Sequence, residues 1–225
     1  MDNISIITPA YKAVNFIDDY IKSFENQKNI YNISYELIIG VDGCIETKEK
    51  LLSKKLPDYV KIFWFEYNYG PYIVKNSIVN ESKWPYIIFF DIDDIALPNF
   101  IDINIEERAN YDILRQSIQY SNKPAYGIIG LWKQTWEKIG GYQPWKCGAD
   151  SELLERSKLM GFTQGKTNEK TFYRREHENQ LTKAKETFKG SSLREDYKKL
   201  VGKYKGKIDP ITAYYKRIFI GGNNE

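Results

Sequence analysis

Apolar and polar positions in the first hundred residues sort into two alternating kinds of segment. Short runs of β-branched and aromatic residues occupy Ile4-Ser5-Ile6-Ile7-Thr8, 35–41, 59–65 and 86–90. Their length and near-continuous hydrophobicity predict strands buried on both faces, as in a parallel sheet. Between them the spacing turns helical. Residues 15–26 put Phe16, Ile17, Tyr20, Ile21 and Phe24 on one side, 47–54 form a short helix, and Pro71 suits the first turn of a helix running to about 80. The alternation β-α-β-α-β-α-β predicts an α/β fold with a mostly parallel, doubly wound sheet flanked by helices.

Beyond residue 96 the pattern loosens. Pro98-Asn99-Phe100 opens a helix, 111–120 reads as a strand with polar interruptions, and 125–132 as a strand of small and apolar residues. A short helix over 135–139 stops at Gly140-Gly141. Asp150 begins a helix with Gly161 just past its end, and 170–175 reads as a last strand. The remainder, from about 183, is rich in Lys and Glu and ends in an aromatic, basic stretch, Tyr214 to Ile220.

The fourth strand runs straight into Asp91-Ile92-Asp93-Asp94. In open α/β sheets, ligands bind outside the carboxyl ends of the strands. Three such ends, Pro9–Lys12, Asp42–Cys44 and Asp91–Asp94, then share one rim. Hard carboxylate oxygens there suit Mg²⁺ or Mn²⁺ together with a phosphate-bearing substrate. The plainer alternative is an acidic turn capping the next helix, a role Asp fills well and one open to Asp94 in particular.

Composition narrows the classes. The formal net charge is +3 over 225 residues, which argues against a dedicated nucleic-acid binder. Cys44 and Cys147 are far apart and lack metal-ligand spacing, so free thiols and a reducing, cytoplasmic setting are expected. The opening Met1-Asp2-Asn3-Ile4 leads almost directly into a strand, so no signal peptide is expected. No apolar run approaches the ~20 residues of a membrane span. The 18 Tyr and 5 Trp can fill a core and also line a sugar- or base-stacking cleft.

Six separated motifs, in order, resemble those of nucleotide-sugar-dependent glycosyltransferases of the GT-A fold, in particular the inverting family 2. Ile6-Ile7-Thr8-Pro9-Ala10-Tyr11 is similar to that family's first strand and nucleotide loop. Leu37 to Cys44 is similar to a strand ending in V-D-D-G-S. Asn68-Tyr69-Gly70 followed by Lys75-Asn76 is similar to N-x-G…R-N. Asp91-Ile92-Asp93-Asp94 matches D-x-D-D, Gly148-Ala149-Asp150 resembles the E-D motif, and Tyr173-Arg174 with His177 resembles Y-R-x-H. The departures are Val41 and Ala149 where the family has an acid, Lys75 where it has Arg, and one extra residue, Glu176. The resemblance implies a domain over 1–182, with a nucleotide-sugar half to about 95 and an acceptor-side half over 96–182. A helical tail over 183–225 would follow.

The resemblance also implies roles. Asp93, Asp91 and His177 would hold a divalent metal, Mn²⁺ or Mg²⁺, and Asp91 would also reach the ribose. Asp150 would be the general base, with Glu152 two residues along as the alternative. Pro9, Ala10, Tyr11, Asp42, Asn68, Gly70, Lys75 and Arg174 would contact the nucleotide sugar, with UDP the expected nucleotide. Trp132 and Trp145, with Glu152, would flank the acceptor, be it a glycan, a lipid-linked saccharide or a protein. The basic, aromatic tail would pack on the domain or touch a membrane face from the cytoplasm. Two other readings stay open. One is a GT-A fold with weakened catalysis that still binds nucleotide or glycan, kept by Val41 and Ala149. The other is a nucleotidyltransferase, disfavoured because Thr8-Pro9-Ala10-Tyr11-Lys12 has no glycine.

Overall fold

The four buried runs become the parallel centre of a nine-stranded sheet. The structure is a computed structural model that describes residues 3–178, 180–203 and 217–221. Strands β1 (Ile4–Ala10), β2 (Tyr35–Asp42), β3 (Val60–Phe65) and β4 (Tyr86–Phe89) pair in parallel in the order β4-β1-β2-β3. Helices α1 (Ile17–Glu25), α2 (Ile45–Leu52) and α3 (Pro71–Ile78) make the crossovers. Both sheet faces are apolar because helices cover both. Ile6, Leu37, Ile39 and Ile88 belong to one core cluster, and Ile7, Ile38, Ile87 and Phe89 to the other.

The other half of the sheet is mixed. Strand β5 (Ile95–Ala96) and helix α4 (Phe100–Glu107) follow β4, then β6 (Ile113–Ile118) and β7 (Pro124–Trp132). Helices α5 (Lys133–Ile139) and α6 (Ala149–Leu159) precede β8 (Gln164–Tyr173). Strand β7 runs antiparallel to β4 and β6, β6 runs parallel to β8, and β5 pairs antiparallel with β8. Strand β8 starts well before the expected 170. Its stretch around Asn168-Glu169-Lys170 is polar and exposed, so no apolar alternation marks it.

The tail is more than a helix. Helix α7 (Ser192–Leu200) is capped by the Ser191 side chain, and β9 (Ile218–Gly221) pairs antiparallel with β3 at the sheet edge. The β-branched, aromatic run Ile218-Phe219-Ile220 explains the strand, and Phe219 packs on Phe63. Tyr214, Tyr215 and Lys216 of the expected aromatic, basic stretch lie outside the described residues.

One ion pair fastens the mixed half. Glu152 and Arg156, four apart on α6, are both fully buried and bond in a fork, Nε to Oε1 and Nη2 to Oε2 at 2.9 Å each. The same guanidinium donates to the carbonyls of Ile139 and Gly141, which locks α6 to the end of α5. Glu152 is therefore a structural acid enclosed by its partner, and the expectation that it serves as base or acceptor contact is corrected. Glu152→Ala strands the buried Arg156 charge. It is expected to cost about 3–5 kcal/mol in urea denaturation.

Candidate active site

The carboxyl ends of β1, β2 and β4 carry the loops 9–12, 42–44 and 91–94, and each loop is shaped by identifiable bonds. At the end of β2, Asp42 is 2% exposed and accepts from the backbone N–H groups of Tyr69 (2.7 Å) and Gly70 (2.9 Å). Both carboxylate oxygens are thus spent on holding the Asn68–Gly70 loop beside β2. Burial pushes the Asp42 carboxyl up to about 6, partly offset by those two donors. Gly43 has φ +66°, and a Cβ there would lie 2.5 Å from the Asn68 nitrogen, so only glycine lets the two loops meet. Tyr11 is exposed beside Lys12, while Pro9 is half-buried and Ala10 buried. Asn68 is exposed on the same loop.

The acids follow β4. Lys75 on α3 is buried, and its ammonium bonds Asp91 Oδ1 at 2.8 Å. The expectation that Lys75 meets the nucleotide gives way to a cation held under Asp91 and over the rings of Phe89 and Tyr142. Asp93 Oδ2 lies 2.8 Å from His177 Nε2, and the His177 ring packs against Phe16 of the segment before α1. Asp94 is buried. It does not cap α4, but accepts from the Arg175 backbone N–H at 3.1 Å and faces the Arg174 guanidinium at 3.8 Å. Burial raises the Asp93 carboxyl and the neighbouring Asp91 charge adds to it, against His177. Burial lifts Asp94 well above the usual carboxylate range, reinforced by Asp93 and Asp91 and opposed by Arg174.

Among the described residues, no three His, Cys, Asp or Glu side chains gather closely enough to hold a metal unaided. The donors present still suit one. Asp93 is a buried carboxylate crowded by the Asp91 charge, His177 is in contact with Asp93, and His177 Nδ1 is buried with no partner among the described residues. The Asp93–His177 pair, with Asp91 two residues away, offers oxygen and nitrogen donors of the kind Mn²⁺ or Mg²⁺ takes, with phosphate and water to supply the remaining positions.

Asp150 sits in the first turn of α6, after Gly148 with φ +78°. Its Oδ1 accepts from the Tyr72 hydroxyl at 3.2 Å and from the Ser151 N–H at 3.0 Å. Burial, then the Asp150 charge, pushes Tyr72 well above the usual tyrosine range, so its hydroxyl remains a donor. Asn76 bonds the backbone of Tyr142 in both directions, at 2.8 and 2.9 Å, and thereby ties α3 to the loop before Asp150. Tyr72, Asn76 and Phe16 were not singled out from sequence for these roles, because each acts through a fold contact that no local pattern announces.

Both tryptophan expectations are corrected. Trp132 pairs in register with Tyr86, the first residue of β4, and stacks edge-on with it at 5.2 Å. It therefore lies at the end of β4 opposite the acids, because β7 runs back away from the rim. Trp145 is buried, and its ring is covered face to face by Tyr197 of α7 at 4.6 Å. The two departures that replace an acid are core positions here, since Val41 and Ala149 are fully buried.

The half-parallel sheet with an acid turn at the end of β4 has the GT-A fold of the solved glycosyltransferase structures it superposes on. The chain belongs to glycosyl transferase family 2, whose family model matches residues 5–146. Among similar sequences, a putative teichuronic acid biosynthesis glycosyltransferase, TuaG, of Bacillus subtilis (strain 168) is 27% identical over 93 residues, 40% of this chain and 36% of that protein. A chondroitin synthase of Escherichia coli is 26% identical over 108 residues, 47% of this chain and 16% of that protein. The chain spans well under half the length of these curated relatives. Among solved structures, S. aureus TarS 1–349 in complex with UDP-GlcNAc superposes with a TM-score of 0.65 at 15% identity, covering 79% of this chain and 60% of that one. A mannosyltransferase from Pyrobaculum calidifontis with GDP-Man and Mn²⁺ gives 0.64 at 11%, covering 76% and 56%. Among the described residues no helix is long and apolar enough to cross a membrane.

The Asp42 latch has a pH signature. Its folded value of about 6 exceeds the unfolded carboxylate value of about 3.9, so between the two the native state binds more protons than the unfolded chain. Stability from this group therefore falls as pH rises through that window. Relative to Asp42→Asn, the wild type is expected to lose up to about 3 kcal/mol between pH 4 and pH 7. Paired urea titrations at the two pH values measure it, and a parallel dependence in both proteins would refute it.

Proposed function

We propose that this chain transfers a sugar from a nucleoside-diphosphate sugar, a UDP-sugar, to a hydroxyl of a glycan, lipid-linked or protein acceptor, with inversion and with a divalent cation. The observation that carries the reading is the Asp93–His177 contact at the end of β4, within reach of the Asp91 charge. The TarS complex with UDP-GlcNAc and the mannosyltransferase complex with GDP-Man and Mn²⁺ support the donor class and the metal.

Asp93, Asp91 and His177 would hold Mn²⁺ or Mg²⁺, which as a Lewis acid supplies charge stabilisation to a departing diphosphate. Lys75 keeps the Asp91 carboxylate in place from beneath. Arg174, half-buried beside Asp94, offers a guanidinium to phosphate oxygens. Tyr11, after β1, offers an exposed ring for the base, and Asp42 latches the Asn68–Gly70 loop to the end of the neighbouring strand β2. Asp150 takes the proton of the acceptor hydroxyl as that oxygen bonds the anomeric carbon and the bond to the phosphate oxygen breaks. A single displacement of this kind inverts the centre. A cytoplasmic setting belongs to the same proposal, supported by two free, buried thiols, Cys44 and Cys147. Residues 1–182 would form the catalytic domain.

Release of UDP from a panel of UDP-sugars by the full chain tests the reading. Release is expected to need Mn²⁺ or Mg²⁺, and Asp93→Ala should weaken metal affinity by about 10–100-fold. Asp150→Asn is expected to bind UDP as the wild type does while turnover drops about 10²–10⁴-fold. Undiminished turnover by Asp150→Asn would remove the base assignment. UDP binding with no turnover on any donor would favour a binding protein, a reading that the buried Val41 and Ala149 keep in view.

A further inference from the structure

We infer that Tyr72 and Gly127 fix where the acceptor hydroxyl meets Asp150: Tyr72 occupies one carboxylate oxygen and Gly127 keeps the space beside the other open. The inference rests on the reading of Asp150 as the base and deepens it. Oδ1 receives two donors, the Tyr72 hydroxyl at 3.2 Å and the Ser151 N–H at 3.0 Å. Oδ2 takes no hydrogen bond among the described residues. It faces Gly127 of β7, where an added Cβ would stand 3.6 Å away. An oxygen already accepting two bonds is a poor proton acceptor. The one that retains its lone pairs, beside a residue without a side chain, is the one a substrate can reach.

Tyr72 is well placed to hold that geometry. It is buried, its ring packs on Tyr142 at 5.2 Å, and Tyr142 is in turn clamped by Asn76. It sits in the first turn of α3, directly after the Asn68–Gly70 loop that Asp42 latches. The loop bordering the donor and the carboxylate serving the acceptor are thus joined through one helix start. Tyr72 is a positioning residue, and Gly127 sets the room for the incoming group. In the step itself the acceptor O–H gives its proton to Oδ2, its oxygen bonds the anomeric carbon, and the electron pair of the breaking bond leaves with the diphosphate.

The test uses the full chain with Mn²⁺ and the UDP-sugar it hydrolyses fastest, UDP-GlcNAc being tried first, with glycerol present as a polyol acceptor alongside water. Tyr72→Phe removes only the hydroxyl. It is expected to lower turnover to both products about tenfold while KM for the donor stays within about twofold. Gly127→Val suits a strand and fills the space beside Oδ2. It is expected to leave UDP affinity intact and to cut glyceryl glycoside formation at least about fivefold more than hydrolysis. Unchanged turnover in Tyr72→Phe, or an unchanged product ratio in Gly127→Val, overturns the inference. Proton NMR reads the contact without turnover. A slowly exchanging downfield hydroxyl signal should be present in the wild type, absent in Tyr72→Phe and displaced in Asp150→Asn. Lack of that signal overturns the Tyr72 contact by itself. A wild type that binds UDP but never turns over overturns the proposed function, and the acceptor position with it, even where the hydroxyl signal is present.

Discussion

Three carboxylates at the end of one buried strand set the terms for the rest of this molecule. Asp91, Asp93 and Asp94 follow β4 so closely that Asp93 and Asp94 both feel their acidic neighbours, and burial makes the charge of those two expensive. The fold answers by bringing positive and polar groups from remote parts of the chain. Lys75 comes up from α3 beneath Asp91. His177 and the Arg175 backbone arrive from the segment after β8, 84 and 81 residues from their partners. What looks like a site assembled for a ligand is also an electrostatic requirement. The compensation is least complete at Asp93, whose carboxyl stays raised despite His177.

The two sides of the rim are stiffened by different means. On the β2 side a single buried acid, Asp42, organises a loop through its backbone, so the side chain there matters more for shape than for contact. On the α6 side the Glu152–Arg156 fork and the Asn76–Tyr142 pair hold the helix and its preceding loop against α5 and α3. Helix α3 belongs to both systems, which makes it the mechanical link between them.

The parallel half was legible because its strands are continuous apolar runs, and the rim could be placed because parallel strands share an end. His177 and Asp93, picked out far apart in sequence, stand in contact, and Asp150 lies in the first turn of α6. The errors share a cause. Trp132, Trp145 and Glu152 lie close in sequence to the right region, but strand direction, a covering helix and a buried ion partner decide where a side chain ends up. None of these leaves a local mark. The antiparallel course of β7 sends Trp132 to the far end, Tyr197 closes over Trp145, and Arg156 absorbs Glu152. Strand β8 was shortened for the opposite reason, since it begins polar and its register with β6 shifts.

The antiparallel strand β9 carries a consequence for how the protein comes to be. The outer edge of β3, a strand that includes Val60, Ile62, Phe63 and Phe65, is covered among the described residues by the pairing with β9. During synthesis every residue of the mixed half must be made before that cover exists. Until then the growing chain displays an open, apolar edge, the kind of surface that recruits other chains. Pairing across so long a separation also closes slowly. The short β9 segment therefore acts as a late guard against misassembly, a role distinct from anything that happens at the rim.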